Sequence, residues 1–348
     1  YTGLRIKDYP ITNASWERSK QFDIGVDMQF FNQVDVIFDY YKYKRDRILL
    51  NRASFPRILG YEVATPWANM GRVDNEGVEL SVNWRKQLNR DLAVDLRVNY
   101  TYSKNKYVYK DEPDYPYVWQ TETGKPLDCV RGYIAEGLFV DQADIDSHAV
   151  QNNFGSDVMP GDIKYRDVNG DGKLTTEDRA IIGDTNPDFT YGLTGNFRWK
   201  NLTLSLFFQG TYGNDIFNAN LTNISMQSVS NIPKFAYESR WTPDNTENAK
   251  WPRATMAQTR EWRISDRHVE DGSYLKLKTI NLAYNFGSPC KGIENLTVFG
   301  TVNNVFTITG YSWYDPDVNT FGQDASRRGV DIYSYPASRT FSLGVKVT

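Results

Sequence analysis

Gln21-Phe-Asp-Ile-Gly-Val-Asp-Met-Gln-Phe30 alternates without a slip: Phe22, Ile24, Val26, Met28 and Phe30 point one way, and Gln21, Asp23, Gly25, Asp27 and Gln29 the other. A period of two marks an extended strand with one apolar and one polar face. The pattern recurs along the chain. Val78, Leu80, Val82 and Trp84 alternate with Glu79, Ser81, Asn83 and Arg85, and Leu92 to Tyr100 alternate with Asp95, Arg97, Asn99 and Thr101. Phe189 to Trp199, Leu202 to Phe208 and Phe341 to Val347 carry similar faces, and three less regular stretches run over Val34–Tyr43, Tyr274–Phe286 and Leu296–Thr307. Within Tyr274–Phe286 the apolar parity changes between Leu277 and Ile280, which predicts a bulge or a register shift.

The connections between these nine stretches alternate in length. Tight turns are expected around Phe31-Asn32-Gln33, over Leu88–Asp91, at Lys200-Asn201 and across Gly287–Asn295. Between them lie Ile48–Val73, Tyr107–Asp188, Tyr212–Gly272 and Ile308–Tyr335, rich in Pro, Gly, Asn, Asp and aromatic residues. Short turns at one end and long loops at the other are the mark of an all-β, antiparallel, up-and-down transmembrane β-barrel with its long loops outside the cell.

Composition permits a barrel and excludes some rivals. The 348 residues are 40% hydrophobic, yet no run reaches the roughly twenty apolar residues of a membrane helix. A mean hydropathy of −0.58 does not decide the matter, because a barrel shows lipid only every second residue. Aromatic residues gather at strand ends, among them Phe30, Tyr40, Trp84, Tyr100, Tyr102, Trp199, Tyr284 and Phe286, as interfacial belts require. The plainer account, aromatic residues chosen for β propensity in a water-soluble sheet, stays open at this point. A net charge of −3 without a basic run argues against nucleic acid. Cys129 and Cys290 fall in an outer loop and an inner turn and should not pair.

Bacterial barrels have even strand numbers with both termini inside, so nine strands ending inside imply an odd number upstream. The chain is therefore expected to be the C-terminal part of a barrel, residues 1–348, entered partway round; its first residue is Tyr1, with no signal peptide ahead of it.

The sharpest chemical motif lies in the long loop 107–188: Asp167-Val-Asn169-Gly-Asp171-Gly172-Lys173-Leu-Thr-Thr-Glu-Asp178. Residues 167–178 match a twelve-residue calcium loop. Asp167, Asn169 and Asp171 supply oxygens, Gly172 the sharp turn, Lys173 its carbonyl and Asp178 the closing carboxylate. Two departures stand out: an aspartate closes the loop where calcium sensors have glutamate, and no amphipathic helix precedes Asp167. Bound Ca²⁺ would be structural, pinning a loop that is otherwise costly to order. The competing reading is a polar Asn/Asp/Gly turn without metal.

Tyr115, Tyr117, Trp119, Trp241, Trp313 and Tyr314 lie in outer loops, where aromatic faces can stack on sugar rings or peptide side chains or else pack their own loops. Arg339 and Lys346 are expected to face the lumen. Catalysis has little support. His148 and His268 stand in different loops, outside any nucleophile or metal arrangement, and no spacing singles out a carboxylate pair among 43 acidic residues.

Several strings carry a resemblance. Ala14-Ser-Trp-Glu-Arg, Asn69-Met-Gly-Arg-Val-Asp-Asn-Glu-Gly-Val-Glu-Leu, Arg240-Trp-Thr-Pro-Asp-Asn, Val269-Glu-Asp-Gly-Ser-Tyr-Leu-Lys-Leu-Lys, Tyr311-Ser-Trp-Tyr-Asp-Pro-Asp and Tyr335-Pro-Ala-Ser-Arg-Thr-Phe-Ser-Leu-Gly resemble, in order, the C-terminal half of SusC/RagA-type TonB-dependent outer-membrane transporters. The resemblance implies a barrel of about 22 strands in the outer membrane of a Gram-negative bacterium of the Bacteroidetes. It further implies a plug and a TonB box upstream of this chain, energising by the TonB complex, and import of oligosaccharides or oligopeptides. The implied partners are membrane lipid and a SusD-like surface lipoprotein acting as a lid, in a SusC2D2-type dimer of pairs. The rival from the binding class is a soluble or surface-displayed calcium-containing β-sandwich adhesin, which gives no reason for long and short connections to alternate.

Overall fold

In the computed structural model the described residues are 11, 13–52, 66–151, 157–222, 224, 231–255, 263–318, 320–322 and 327–348. Nine long strands form one antiparallel sheet in which each pairs with the next in chain order. They are β1 (Arg18–Phe30), β2 (Val34–Asn51), β3 (Trp67–Gln87), β4 (Leu92–Tyr109), β5 (Phe189–Trp199), β6 (Leu202–Tyr212), β7 (Tyr274–Asn285), β8 (Leu296–Thr309) and β9 (Thr340–Val347). A sandwich would divide such strands between two facing sheets. Here all nine share one wall, the form a barrel segment takes.

Register carries one face intact across the wall. Val26 lies opposite Phe38, Phe38 opposite Leu80, Leu80 opposite Tyr100, and Tyr100 opposite Tyr191. The row continues through Leu193 opposite Phe208, Phe208 opposite Leu277, and Leu277 opposite Phe306, and Val302 then faces Phe341. The opposite face is mostly polar: Asp39 pairs with Glu79, Asn99 with Gly192, Asn281 with Thr301, and Lys346 with Thr297, with Ile37, Phe207 and Phe299 among its exceptions. One apolar band and one polar face are what lipid outside and a wet lumen inside select. Tyr102, Phe189 and Tyr212 line up across β4, β5 and β6 at the loop end, with Phe189 and Tyr212 stacked at 5.1 Å. Trp199 and Tyr284 flank Leu202 at the turn end. These two rows occupy the levels of interfacial belts.

The tight turns fall where expected. Phe31 and Asn32 both take positive φ (55° and 52°), and the Gln33 N–H donates to the Phe30 carbonyl at 3.0 Å. Two left-handed residues in succession match the right-handed twist of the flanking strands. Lys200 (φ 52°) turns the chain between β5 and β6 in two residues. The register shift anticipated in β7 is present at Lys278: Leu277 pairs with Phe208 and Thr279 with Phe207, so one residue absorbs the parity change.

The long loops begin later than the alternation suggests. β2 runs to Asn51, β3 starts at Trp67 and β4 ends at Tyr109, so much of Ile48–Val73 is strand, and residues 53–65 lie outside the described residues. Here the wall meets water on both faces, so alternation is lost while the backbone ladder continues. Cross-strand ion pairs support it, Lys42 with Glu76 at 2.5 Å and Arg18 with Asp46 at 2.9 Å.

Small β modules build the loops. Cys129–Gly132 pairs with Ala180–Asp184, Ala135–Leu138 pairs with Ile163–Tyr165, and Asp215–Asn218 lies between Val269–Asp271 and Val330–Asp331. Tyr133, Ile163, Tyr165 and Leu174 form a buried cluster above the wall, with Leu138 and Ala149 against it. The 107–188 loop thus has its own core, unlike an unstructured excursion.

Candidate functional site

Two regions at the loop end carry chemistry: the 167–178 loop, and a strap that folds from the β8–β9 loop onto the lumen face.

In the 167–178 loop the side-chain oxygens turn toward their own backbone. Asp167 accepts from the N–H groups of Gly170 (2.7 Å) and Gly172 (2.8 Å), Asn169 from Asp171 (3.0 Å), and Asp171 from Lys173 (2.8 Å). Asp178 is fully buried and closes the ring, accepting from Val168 at 2.9 Å and Thr175 at 2.7 Å. Gly170 (φ 74°) and Gly172 (φ 80°) supply the left-handed positions that let the chain turn this tightly. Leu174 drops into the loop core, with its N–H on the Val150 carbonyl at 2.9 Å. Burial raises the Asp167 carboxyl, but the N–H groups of Gly172, Gly170 and Asp171 and the contact with Asp178 outweigh it and hold it below the ordinary carboxylate value. Among the described residues no three Asp, Glu, His or Cys side chains gather into a metal-holding group. The donor set is nevertheless all oxygen, as a hard cation requires, and a carboxylate oxygen that accepts one N–H keeps a further lone pair.

The six aromatic candidates do not form one site. Trp119 serves the loop: its indole N–H donates to the Thr176 carbonyl at 2.7 Å, Arg179 lies 5.0 Å over its ring, and Tyr117 stacks on it at 6.2 Å. Tyr115 is half-buried. Trp241 packs over Gly161, where an added Cβ would come within 2.6 Å of the indole ring. Trp313 and Tyr314 are different. They form an edge-to-face pair at 5.5 Å, and Tyr314 remains 64% exposed.

Three attachments hold the segment that bears this pair. The Tyr311 hydroxyl donates to the fully buried Asp331 at 2.6 Å; burial, and then that carboxylate, raise the phenol above its ordinary value. The backbone N–H and hydroxyl of Ser312 donate to Glu270 at 2.8 and 2.9 Å. Beyond the aromatic pair, Lys276 of β7 donates to both oxygens of Asp315 at 2.8 and 3.0 Å and lies 3.6 Å from Asp317, to which Lys278 also pairs at 3.4 Å. Gln209 of β6 reaches Asp317 at 3.4 Å. Lys276 is only 1% exposed, and its ammonium is paired with Asp315 and Asp317. Sequence reasoning missed this clamp. Its signals were the parity break beside Lys278 and two quoted strings, Val269–Lys278 and Tyr311–Asp317, which nothing local connects.

The histidines have structural partners. His148 Nε2 meets the Tyr165 carbonyl at 2.8 Å, and His268 is buried against Ser265. Both cysteines are free; burial and then Asp184 push the Cys129 thiol up to about 11.

With this wall and loop architecture established, comparison with known proteins defines the class. Residues 5–305 match the family model "TonB dependent receptor-like, beta-barrel", and the chain belongs to that family. It is 31% identical to TonB-dependent receptor P3 of Formosa agariphila over 99% of its own length and 35% of that protein. It is 27% identical to TonB-dependent receptor SusC of Bacteroides thetaiotaomicron, covering 96% of the chain and 32% of that protein. Among solved structures, the RagAB peptide importer in its open-open state superposes with a TM-score of 0.77 at 21% identity, over 99% of this chain and 36% of that one. The resemblance to SusC/RagA-type transporters read from the strings therefore stands, and the chain spans about a third of the length of these relatives.

Proposed function

We propose that this chain is the C-terminal wall and outer-loop portion of a TonB-dependent, SusC-like outer-membrane importer of oligosaccharides or oligopeptides, with no catalytic role. The observation that carries the reading is the apolar band kept in register across nine strands over a polar inner face, in a chain of this receptor family. A wall of that kind separates lipid from a hydrated passage. Work to drive import would come from the TonB complex acting on upstream parts of the protein, and a SusD-like lipoprotein would cover the loop end. The relative named SusC supports that partnership, the relatives from Formosa and Bacteroides support a Bacteroidetes outer membrane, and a SusC2D2-type dimer of pairs is part of the same proposal. Trp119, Tyr117, Tyr115 and Trp241 would shape the loops, and ligand contact would fall to aromatic groups left exposed.

In the same reading Ca²⁺ would be held by Asp167, Asn169, Asp171, the Lys173 carbonyl and Asp178, as a structural pin for the outer loop. The oxygen-only donor set and the two left-handed glycines support it.

The deciding experiment deletes the full-length gene in the source bacterium and measures growth on defined glycans and peptides. Loss of growth on one polymer, restored by the intact gene and not by one lacking its TonB-contacting segment, is the expected result. Unchanged growth and uptake on every polymer would sink the importer reading.

A further inference from the structure

We propose that Trp313 and Tyr314 form a sugar-stacking platform at the loop end of the lumen, and that Lys276 is its positioning residue. The proposal rests on the importer reading and names its substrate class.

Location comes from register. Lys276 pairs with Gln209 and Thr307 on the polar face of the wall, so Asp315 and Asp317, which bind Lys276, Lys278 and Gln209, lie on the lumen side. The irregularity at Lys278 matters here. It lets a second lysine reach the same carboxylate while Leu277 stays on the lipid face.

Rigidity comes from the attachments on both sides of the pair. Tyr311 and Ser312 are tied to Asp331 and Glu270 before it, and Asp315 and Asp317 to the lysines after it. An exposed aromatic ring on a mobile loop must be ordered when it binds. A ring on a strap clamped at both ends has already met that cost, which is how rigid aromatic anchors gain affinity.

Chemical class comes from charge. The two lysines of the clamp are matched by its two aspartates, so the segment after the aromatic pair adds no unpaired charge. At Gln209 it adjoins a wall hollow of about 310 Å³ lined by Asn99, Thr101, Thr190, Gln209, Thr211 and Tyr274. That lining offers hydroxyl and amide groups, each able to donate and accept, and no ionic group. A neutral glycan supplies matching hydroxyls and an apolar ring face for the aromatic pair. A peptide would bring terminal and side-chain charges for which the hollow has no partner.

The test uses the full-length transporter purified with its lipoprotein partner, probed by a microarray of neutral glycans beside a peptide library, with titration of the best binder. We expect a glycan to bind, and Trp313→Ala and Tyr314→Ala each to weaken it roughly tenfold, as loss of one good contact does. Lys276→Met should weaken it similarly, Lys276→Arg should restore most of it, and Lys276→Met added to the combined Trp313→Ala and Tyr314→Ala variant should weaken it no further. A role in folding alone would predict neither the rescue nor the non-additivity. Should Lys276→Met fail to assemble, the two aromatic substitutions still decide the platform. Glycan affinity unchanged by both aromatic substitutions, or binding confined to peptides, overturns the proposal. With import intact, either result leaves the importer reading standing, whereas loss of that reading requires uptake itself to fail.

Discussion

His268 shows how much a single buried side chain in these loops can reveal. It is buried between Ser265 and Phe217, the latter 6.2 Å away between ring centres. Burial lowers its pKa, and nearby Arg267 adds to that; the Ser265 backbone and Asp266 oppose them without reversing the result. The folded state therefore binds fewer protons than the unfolded chain as the pH falls toward and below the ordinary imidazole value of about 6.5. The stability contributed is full above that value and is lost as the pH drops through the lowered folded value. Thermal unfolding of the full-length protein, followed from neutral pH to about pH 5, should show a falling midpoint that His268→Gln flattens. A slope identical in the two proteins would remove His268 as its source. Sequence reading identified this residue only as lying outside any catalytic motif. It had no means of finding its burial, because Phe217, which packs on it, comes from the far end of the same long loop.

At the scale of elements, the wall and the loops differ in how openly the sequence states them. β1 is legible from Phe22 to Phe30 because lipid on one side and water on the other impose period two on every residue. The outer ends of β2, β3 and β4 are not, since water on both faces removes the pattern while leaving the ladder. The 167–178 loop was legible as a motif, yet its geometry adds something spacing does not contain: Asp178 is buried and engaged by backbone N–H groups. A calcium ion would have to share that carboxylate. Calorimetry on the intact complex should give saturable Ca²⁺ uptake that Asp167→Ala or Asp171→Ala weakens, together with greater protease sensitivity of the outer loop. Uptake unchanged by both substitutions would assign the loop to the metal-free turn.

At the scale of the whole chain, the governing fact is that among the described residues β1 and β9 each pair on one side only. Two open edges on a sheet with an apolar outer face are templates for association, and closure into a barrel is what removes them. Residues 1–348 expressed alone in detergent should therefore aggregate and show no heat-modifiable gel mobility, whereas the full-length protein should show it. A monodisperse, heat-modifiable species from the short chain would mean that nine strands close by themselves. The faces of the wall, the places of its tight turns and the break in β7 were determined by the sequence alone, because period two is imposed residue by residue by the two solvents a strand meets. Only the tertiary structure decided that Lys276 holds Asp315, 39 residues away, and that Tyr314 stays exposed against Trp313 while Trp119 and Trp241 are consumed in packing. Those outcomes depend on which loops the closed ladder brings side by side, and a local pattern carries no record of that.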